Sequence, residues 1–374
     1  MRTIHLPFKV RRPILAMGAD MKGAFAVAKG DKAHLFEGFG DLGELHNLAK
    51  FSDAVRASEK LTGIRPRIIA CDHHPGYAST RFAEVYGLEH FILELSDVQH
   101  HEAHVASAIV DNGIKTDVIG VAFDGTGAGW DGCVWGGEFF TGSPRRFKRA
   151  AHFEYVPMPG GEAAIAEPWR MAAMHLYGTL GESFLDLNID FARKLDRRAW
   201  HIVRKMIERG VNCPLTSSAG RLFDAAASVI LCKMRSGSEA ELPIELERVA
   251  ARGRFDNYEF NIRTDGEKIL VGYRKLFEGI VKDMAKGISR GTVSAKFHNT
   301  IAQIITEVCS RLKRRTGIDK VVLSGGVFQN KYLTAKAAAI LRKKGFKVFL
   351  HSKVNTNDSG IPLGQVAIAR TRCA

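Results

Sequence analysis

Cysteine, long apolar runs and the familiar nucleotide-binding fingerprints are scarce or absent in this sequence. Its six cysteines lie far apart and include no C-x-x-C pair, which excludes a zinc ribbon within these residues and argues against a disulfide framework. No apolar run approaches the roughly 18 residues that cross a bilayer, and the N-terminus lacks the small-residue cleavage site of a signal peptide. We therefore expect a soluble, cytoplasmic protein with reduced thiols and no membrane partner.

Length and charge narrow the possibilities further. A chain of 374 residues, 45% of them apolar, is long enough for two lobes with sizeable cores. The formal net charge is +14, with basic residues densest at 145–149, 311–315 and 342–344. Such clusters suit nucleic acid, phosphorylated ligands or an acidic protein, and they equally suit solvated helix and loop faces. Charge alone leaves these alternatives open.

The order of the predicted elements indicates a duplicated α/β pattern. Three strands separated by glycine turns precede alternating helices and strands, first in residues 12–116 and again in residues 117–374. A helical insertion at about residues 162–300 interrupts the second copy, and residues 234–266 resemble an irregular connection within it. The sequence therefore predicts an α/β fold with two lobes.

A histidine-rich segment, VQHHEAHVAS, carries the first candidate site. His100 and His104 lie four residues apart, so on a helix both rings project from one face and suit two ligands of one metal ion. His101 points elsewhere, toward a substrate or behind the ligands. The alternative is a polar helix surface.

Two glycine turns follow predicted strands and resemble phosphate-binding turns. In VAFDGTGAGWDG, Asp124 ends a strand and Gly125–Gly127 form the turn; in VVLSGGVFQN, Ser324, Gly325 and Gly326 lie between a strand and a helix. Turn amides and a helix N-terminus bind phosphate, and an aspartate can hold the accompanying cation. Neither turn has the Walker pattern, and no G-x-G-x-x-G fingerprint follows a strand.

Three further segments allow two interpretations each. Asp358 is either a helix cap or a ligand at a cleft, Gly160-Gly161 allow close approach of a ligand to the backbone or form a plain turn, and Arg221 with Asp224 forms a nucleotide contact or an intrahelical ion pair. Taken together, the segments predict a metal-bridged nucleotide between the lobes. Mixed imidazole and carboxylate ligands favour iron or zinc over magnesium.

In this order, the motifs resemble those of one family. The stretches are CDHHPGYASTR, VQHHEAHVASAIVDNG, GVAFDGTGAGWDGCVWGGEFF, MPGGEAAIAEPWRMA, TSSAGRLFDAAA, LSGGVFQN and NDSGIPLGQVA. They are similar to the C-terminal carbamoyltransferase (TsaD-like) region of the HypF family from about Ile14 to Ala369. More distantly they resemble O-carbamoyltransferases and tRNA threonylcarbamoyl transferases. The resemblance implies a two-lobed actin/Hsp70-like fold, which is a duplicated ribonuclease H-like fold.

The resemblance also implies roles for individual residues. It assigns metal binding to His100, His104, Asp124 and Asp358, and catalysis to Asp124 and, as a base or orienting group, to His101. ATP, AMP or carbamoyl-adenylate would contact Gly125, Thr126, Gly127, Gly160, Gly161, Ser218, Gly220, Arg221, Asp224, Ser324, Gly325, Gly326 and Asn330. The implied reaction passes a carbamoyl group from carbamoyl-adenylate to the C-terminal cysteine of HypE, toward the cyanide ligand of nickel–iron hydrogenases.

The sequence departs from the family pattern in ways that bear on the acceptor. It lacks the acylphosphatase, zinc-binding and YrdC-like domains of a full HypF, so a separate or missing YrdC-like domain would supply carbamoyl-adenylate. Ala166, Ala219 and Ser359 replace a usual basic residue, cysteine and glycine. The alternatives are an O-carbamoyltransferase acting on a small alcohol, a tRNA threonylcarbamoyl transferase, and a non-catalytic, nucleotide-binding partner of a separate activating protein.

Overall fold

The computed structural model describes residues 1–253 and 255–372, and within them two sheets with helices packed against both form the fold. The strands are β1 (Arg2–Ala16), β2 (Ala24–Glu37), β3 (Ile68–Asp72), β4 (Leu95–Val98), β5 (Val118–Ala128), β6 (Val134–Ser143), β7 (Arg146–Phe153), β8 (Val156–Pro157), β9 (Leu215–Thr216), β10 (Asn261–Asp265), β11 (Lys268–Gly272), β12 (Lys320–Ser324) and β13 (Lys347–Phe349). The helices are α1 (Leu45–Thr62), α2 (Ala78–Glu89), α3 (His100–Asp111), α4 (Ala163–Ala166), α5 (Trp169–Leu180), α6 (Asp190–Lys194), α7 (Arg197–Arg209), α8 (Ala219–Leu231), α9 (Glu241–Val249), α10 (Arg274–Ala285), α11 (Arg290–Thr316), α12 (Lys331–Lys343) and α13 (Ile361–Arg372). Three short 3₁₀ turns lie at Gly181–Asp186, Gly326–Gln329 and Asp358–Gly360.

The first sheet has four strands in the order β2-β1-β3-β4. β1 and β2 are antiparallel, whereas β3 and β4 run parallel to β1. The expected third strand of the opening meander is wrong, because residues 33–37 continue β2. At Gly30, which has a φ of +63°, the pairing with β1 becomes irregular and then resumes, so a β-bulge replaces the predicted turn.

The second sheet repeats this pattern and extends it. Its main path is β10-β11-β7-β6-β5-β12-β13, with β5, β12 and β13 parallel. The hairpin of β10 and β11 adds two strands within residues 234–266, which the sequence had indicated as irregular, and α9 also lies there. β10 has no alternating burial, since its residues are exposed or partly exposed at the sheet edge, and this explains why periodicity missed it.

One helix returns from the end of the second repeat to the first sheet. α13 packs against β1, β2, β3 and β4, and most closely against α3. A Cβ placed on Gly364 of α13 would lie 1.9 Å from the carbonyl oxygen of Ala103 in α3, so glycine permits the contact. The predicted lobe bounds stay a prediction. None of the described helices is both long and apolar enough to cross a bilayer.

Candidate metal and nucleotide site

The two histidines of the motif lie in the first turns of α3, beneath the edges of both sheets. The side chain of Gln99 caps this helix by accepting a hydrogen bond from the Glu102 amide at 2.9 Å, so α3 begins at His100. Because His100 and His104 are one turn apart, their ring centroids lie 5.0 Å apart. Both side chains are 1% exposed.

Two aspartates from distant parts of the chain complete the cluster. Asp124 lies in β5, where regular pairing with β6 stops after Phe123, and Asp358 begins the 3₁₀ turn before α13. The His104 Nε2 atom lies 2.8 Å from Asp124 Oδ2 and 3.4 Å from Asp358 Oδ1. One ligand atom from each of the four residues falls within 4.8 Å of the others.

The cluster fits a divalent transition metal. Within the described part of the chain, His100 Nε2, His104 Nε2 and Asp124 Oδ2 are buried without a hydrogen-bond partner of acceptable geometry. Buried polar atoms normally have such partners, and a cation would satisfy all three atoms at once. Two imidazoles and two carboxylates are donors that zinc and iron accept. His100, His104, Asp124 and Asp358 are therefore brought together as expected.

Neighbouring groups hold the ligands in place. Asp72, at the end of β3, lies 2.7 Å from the Nδ1 atom of His100 through its Oδ2 atom, which directs the other ring nitrogen toward the cluster. The backbone amides of Gly125 and Gly326 donate hydrogen bonds to Asp124 Oδ1 at 2.8 and 3.2 Å. These two amides thus serve the carboxylate, whereas the sequence had indicated phosphate binding.

The cluster is strongly anionic for a buried site. Burial lowers the pKa of His100, but Asp72, Asp358 and Asp124 outweigh it and raise the pKa well above 6.5. For Asp124, burial raises the pKa while His104 and His100 lower it, and the net pKa lies well below its usual value. Without a metal ion, protons on the imidazoles balance the carboxylates, so a bound cation must displace them.

A cleft of about 460 Å³ opens next to the cluster. Asp124 and Asp358 line it, and six of the predicted nucleotide-binding residues line it as well: Gly125, Thr126, Gly220, Arg221, Gly326 and Asn330. The size suits a small ligand. One end of the cleft therefore adjoins the candidate metal ligands.

Comparison with known proteins agrees with this geometry. The family model described as "Carbamoyltransferase, Kae1-like Domain, second subdomain" matches residues 120–365, and the model described as "HypF Kae1-like domain" matches residues 9–111. The chain belongs to the HypF carbamoyltransferase family. Membership brings with it the Kae1-like, actin/Hsp70-like fold, and the fold prediction is confirmed.

Individual HypF relatives show how much of each protein is shared. Carbamoyltransferase HypF of Synechocystis sp. is 32% identical over 97% of this chain, which covers 48% of the relative. The "Carbamoyltransferase HypF homolog" of Cupriavidus necator is 33% identical, with 96% of this chain matching 91% of the relative. A solved full-length HypF in a phosphate- and nucleotide-bound form superposes with a TM-score of 0.93 at 36% identity, over 98% of this chain and 47% of that one. The chain thus spans about half of several HypF relatives and most of the Cupriavidus homolog.

Some predicted nucleotide residues support the cleft from behind. Ser218 caps α8 by accepting a hydrogen bond from the Arg221 amide at 3.0 Å, and its hydroxyl donates to the carbonyl of Gly125. A Cβ on Gly127 would lie 2.6 Å from the ring of His101. Asp224 pairs with Arg221 at 2.6 Å. These residues shape the wall, as Ser324 and Gly325 do below the second turn.

The predicted contact of Gly160 and Gly161 with the same ligand is wrong for the geometry described. Gly160 lines a separate depression of about 300 Å³ with Trp169, Arg170 and Met206. Both glycines have positive φ, and the amide of Gly160 donates to the carbonyl of Asn212 at 2.8 Å. Their spacing therefore serves a turn that packs on α7.

His101 also lies apart from the cleft. Its ring is fully buried, with Nδ1 3.1 Å from the Nε2 atom of Gln99. Burial and neighbouring charges, including His100, lower its pKa well below 6.5. The ring lies under the Gly127 turn, where it has no route to a substrate, so the geometry favours a packing role over the expected role as a base.

Sequence reasoning missed one wall of the cleft. Residues at and before the start of α9 line it, together with Met21 and Tyr77 from the first lobe: Glu239, Ala240, Pro243, Ile244 and Glu247. The segment GSEAELPIELE matches HypF sequences only loosely, so the resemblance did not point to it. Lys22 and Glu239 meet across the mouth at 2.6 Å. Asp72 was missed as well, although a carboxylate at a strand end within CDHHPGY was a usable signal.

Proposed function

We propose that this chain transfers a carbamoyl group from carbamoyl-adenylate to an acceptor. The observation that carries the proposal is the cleft that Asp124 and Asp358 share with the glycine turns. A ligand in this cleft would place its reacting end beside the His/His/Asp/Asp cluster. Membership of the HypF carbamoyltransferase family supports the reaction class.

The charges of the cleft favour a cation for this chemistry. Among its lining residues are four carboxylates, from Asp124, Glu239, Glu247 and Asp358, and one guanidinium, from Arg221. This wall would repel an adenylate phosphate unless a cation neutralises the Asp124 and Asp358 end. A bound Zn²⁺ or Fe²⁺ would supply Lewis acidity at the carbamoyl carbonyl. We therefore expect nucleotide binding to depend on the metal.

The protein would contribute position and exclusion of water. A thiol sulfur attacks the carbamoyl carbon, the bond from that carbon to the phosphate oxygen breaks, AMP leaves, and the thiol proton goes to solvent. The cap of α8 by Ser218 holds the Gly125 turn against the donor, and Met21 with Ile244 covers the cleft. Holding both reactants in one geometry supplies much of the rate.

We propose the C-terminal cysteine of a HypE-type protein as the acceptor, within synthesis of the cyanide ligand of nickel–iron hydrogenases. This part rests on the resemblance to HypF. The donor would come from a separate YrdC-like domain, because the matched region corresponds to the Kae1-like part of HypF.

Mass spectrometry of HypE tests this proposal. Metal-loaded chain is incubated with carbamoyl-adenylate and HypE, and a carbamoyl adduct is expected on the terminal cysteine. His104→Ala and Asp124→Ala should abolish the adduct, whereas His46→Ala, at an exposed histidine of α1, should retain it. If the donor binds to metal-loaded chain and HypE stays unmodified, the HypE assignment is overturned.

A tRNA acceptor is the second candidate, because a tRNA N6-adenosine threonylcarbamoyltransferase of Thermosipho melanesiensis is 28% identical over 39% of this chain. The similarity covers less of the chain than that to HypF. Transfer of a threonylcarbamoyl group to tRNA, with HypE left unmodified, would favour this candidate.

A further inference from the structure

A buried Ser–His–Asp arrangement lies behind the metal cluster. The Ser324 hydroxyl lies 2.8 Å from His351 Nε2, and His351 Nδ1 lies 3.4 Å from Asp111 Oδ2. Ser324 is fully buried, Asp111 is 1% exposed, and the side chain of His351 is 5% exposed. Ser324 does not line the cleft among the residues described there, so the arrangement lacks the access that a nucleophile needs.

Asp111 acts as an anchor in this arrangement. Its carboxylate accepts hydrogen bonds from the amides of Ser352, Lys353 and Val354 at 2.7, 3.0 and 3.3 Å. The hydroxyl of Ser352 donates to it as well, at 3.0 Å. Asp111 is the last residue of α3, and therefore fixes the loop after β13 to the helix that carries His100 and His104.

His351 connects this anchor to the other two ligand-bearing segments. Ser324 precedes Gly325 and Gly326, and the amide of Gly326 donates to the ligand Asp124. The amide of Gly325 donates to the carbonyl of Thr356 at 3.1 Å, and the hydroxyl of Thr356 donates back to the carbonyl of Gly325 at 3.2 Å. The loop from His351 continues to Asp358. One imidazole thus lies where the segments supplying all four ligands meet.

We infer that His351 is a positioning residue that sets the distance between Asp124 and the pair His104 and Asp358. The ring would accept a hydrogen bond from Ser324 at Nε2 and direct its Nδ1–H toward Asp111. Loss of the ring would let the Ser324–Gly326 turn move relative to α3, and Asp124 would move with it. The inference rests on the proposed metal site, since without a metal there is no ligand spacing to preserve.

Metal affinity of the full chain is the test. Zn²⁺ and Co²⁺ dissociation constants are measured by chelator competition, and the visible spectrum of the Co²⁺ form reports ligand geometry. Loss of a group behind a ligand typically weakens metal binding ~10- to 100-fold, and we expect this loss in His351→Phe together with a changed Co²⁺ spectrum. His351→Gln, which can keep a contact with Ser324, should recover part of the affinity.

His175→Phe is the matched control. His175 is also a buried histidine of the second lobe, stacked on Phe277 at 4.7 Å and outside the site. Its variant should change the melting temperature without changing the Zn²⁺ dissociation constant or the Co²⁺ spectrum. Equal weakening in both variants, or unchanged metal affinity and spectrum in His351→Phe and His351→Gln, would overturn the inference. A wild-type chain that binds neither ion would overturn the metal site and this inference together, whereas wild-type binding with unaffected variants would overturn only the inference.

Discussion

Asp72 illustrates how a residue that touches no substrate can control the site. Its carboxylate lies 2.7 Å from His100 Nδ1 and is buried with it. The contact fixes the ring orientation and raises the basicity of the ring nitrogen that faces the cluster. The ligand set therefore depends on a strand of the first sheet as well as on α3.

We predict that Asp72→Asn weakens Zn²⁺ binding about 10- to 100-fold, because the amide keeps the size of the side chain and loses its charge. Chelator competition at constant pH measures the effect. Asp97→Asn is the matched control, since Asp97 makes a similar 2.8 Å contact with His73 outside the cluster. Equal Zn²⁺ affinities of wild type and Asp72→Asn would contradict the prediction.

Several elements were predictable because their signals are local. The spacing of His100 and His104 needs only one helix, and Asp124 follows an apolar strand, so both were found from neighbouring residues. The convergence of Asp358 with them depends on a loop after β13 that no periodicity describes, and the family resemblance was required. The wall formed by α9 depends on packing between distant segments, which a single sequence does not encode in any short pattern.

The crossing of α13 over α3 gives a prediction for Gly364. Alanine improves helix propensity by up to ~1 kcal/mol, yet its Cβ would lie 1.9 Å from the backbone oxygen of Ala103. Backbone cannot move aside as a flexible side chain can, so we expect Gly364→Ala to lower the free energy of unfolding by about 1–3 kcal/mol.

Urea denaturation measures this loss. Gly125→Ala is the control for stability, because a Cβ there meets nothing within 4 Å, and its unfolding midpoint should stay close to that of wild type. A stability gain in Gly364→Ala would show that the helices separate without cost.

At the scale of the whole molecule, the first lobe and the insertion meet over the cleft. Lys22 lies in the turn between β1 and β2, and Glu239 precedes α9. Both side chains are about half exposed, so the pair contributes little to stability, roughly 0–1 kcal/mol. Its position at the mouth suggests an effect on ligand exchange.

We predict that Lys22→Glu leaves the melting temperature nearly unchanged and speeds AMP dissociation up to ~5-fold, the factor that about 1 kcal/mol allows. Stopped-flow displacement of a fluorescent AMP analogue from the metal-loaded chain measures this rate. The exchanged pair, Lys22→Glu with Glu239→Lys, should restore slow dissociation. Equal rates in wild type and Lys22→Glu would show that the mouth does not limit release.

The return of α13 to the first sheet also has a consequence for the order in which the protein is built. During synthesis, residues of the first sheet and α3 leave the ribosome long before α13, which later buries their shared surface. Until then, the apolar face of that sheet lacks its cover and the histidine-bearing helix lacks a neighbour. The nascent chain must therefore keep half of its earliest lobe unfinished until nearly every later residue has been made, and metal capture becomes one of the final events of its maturation.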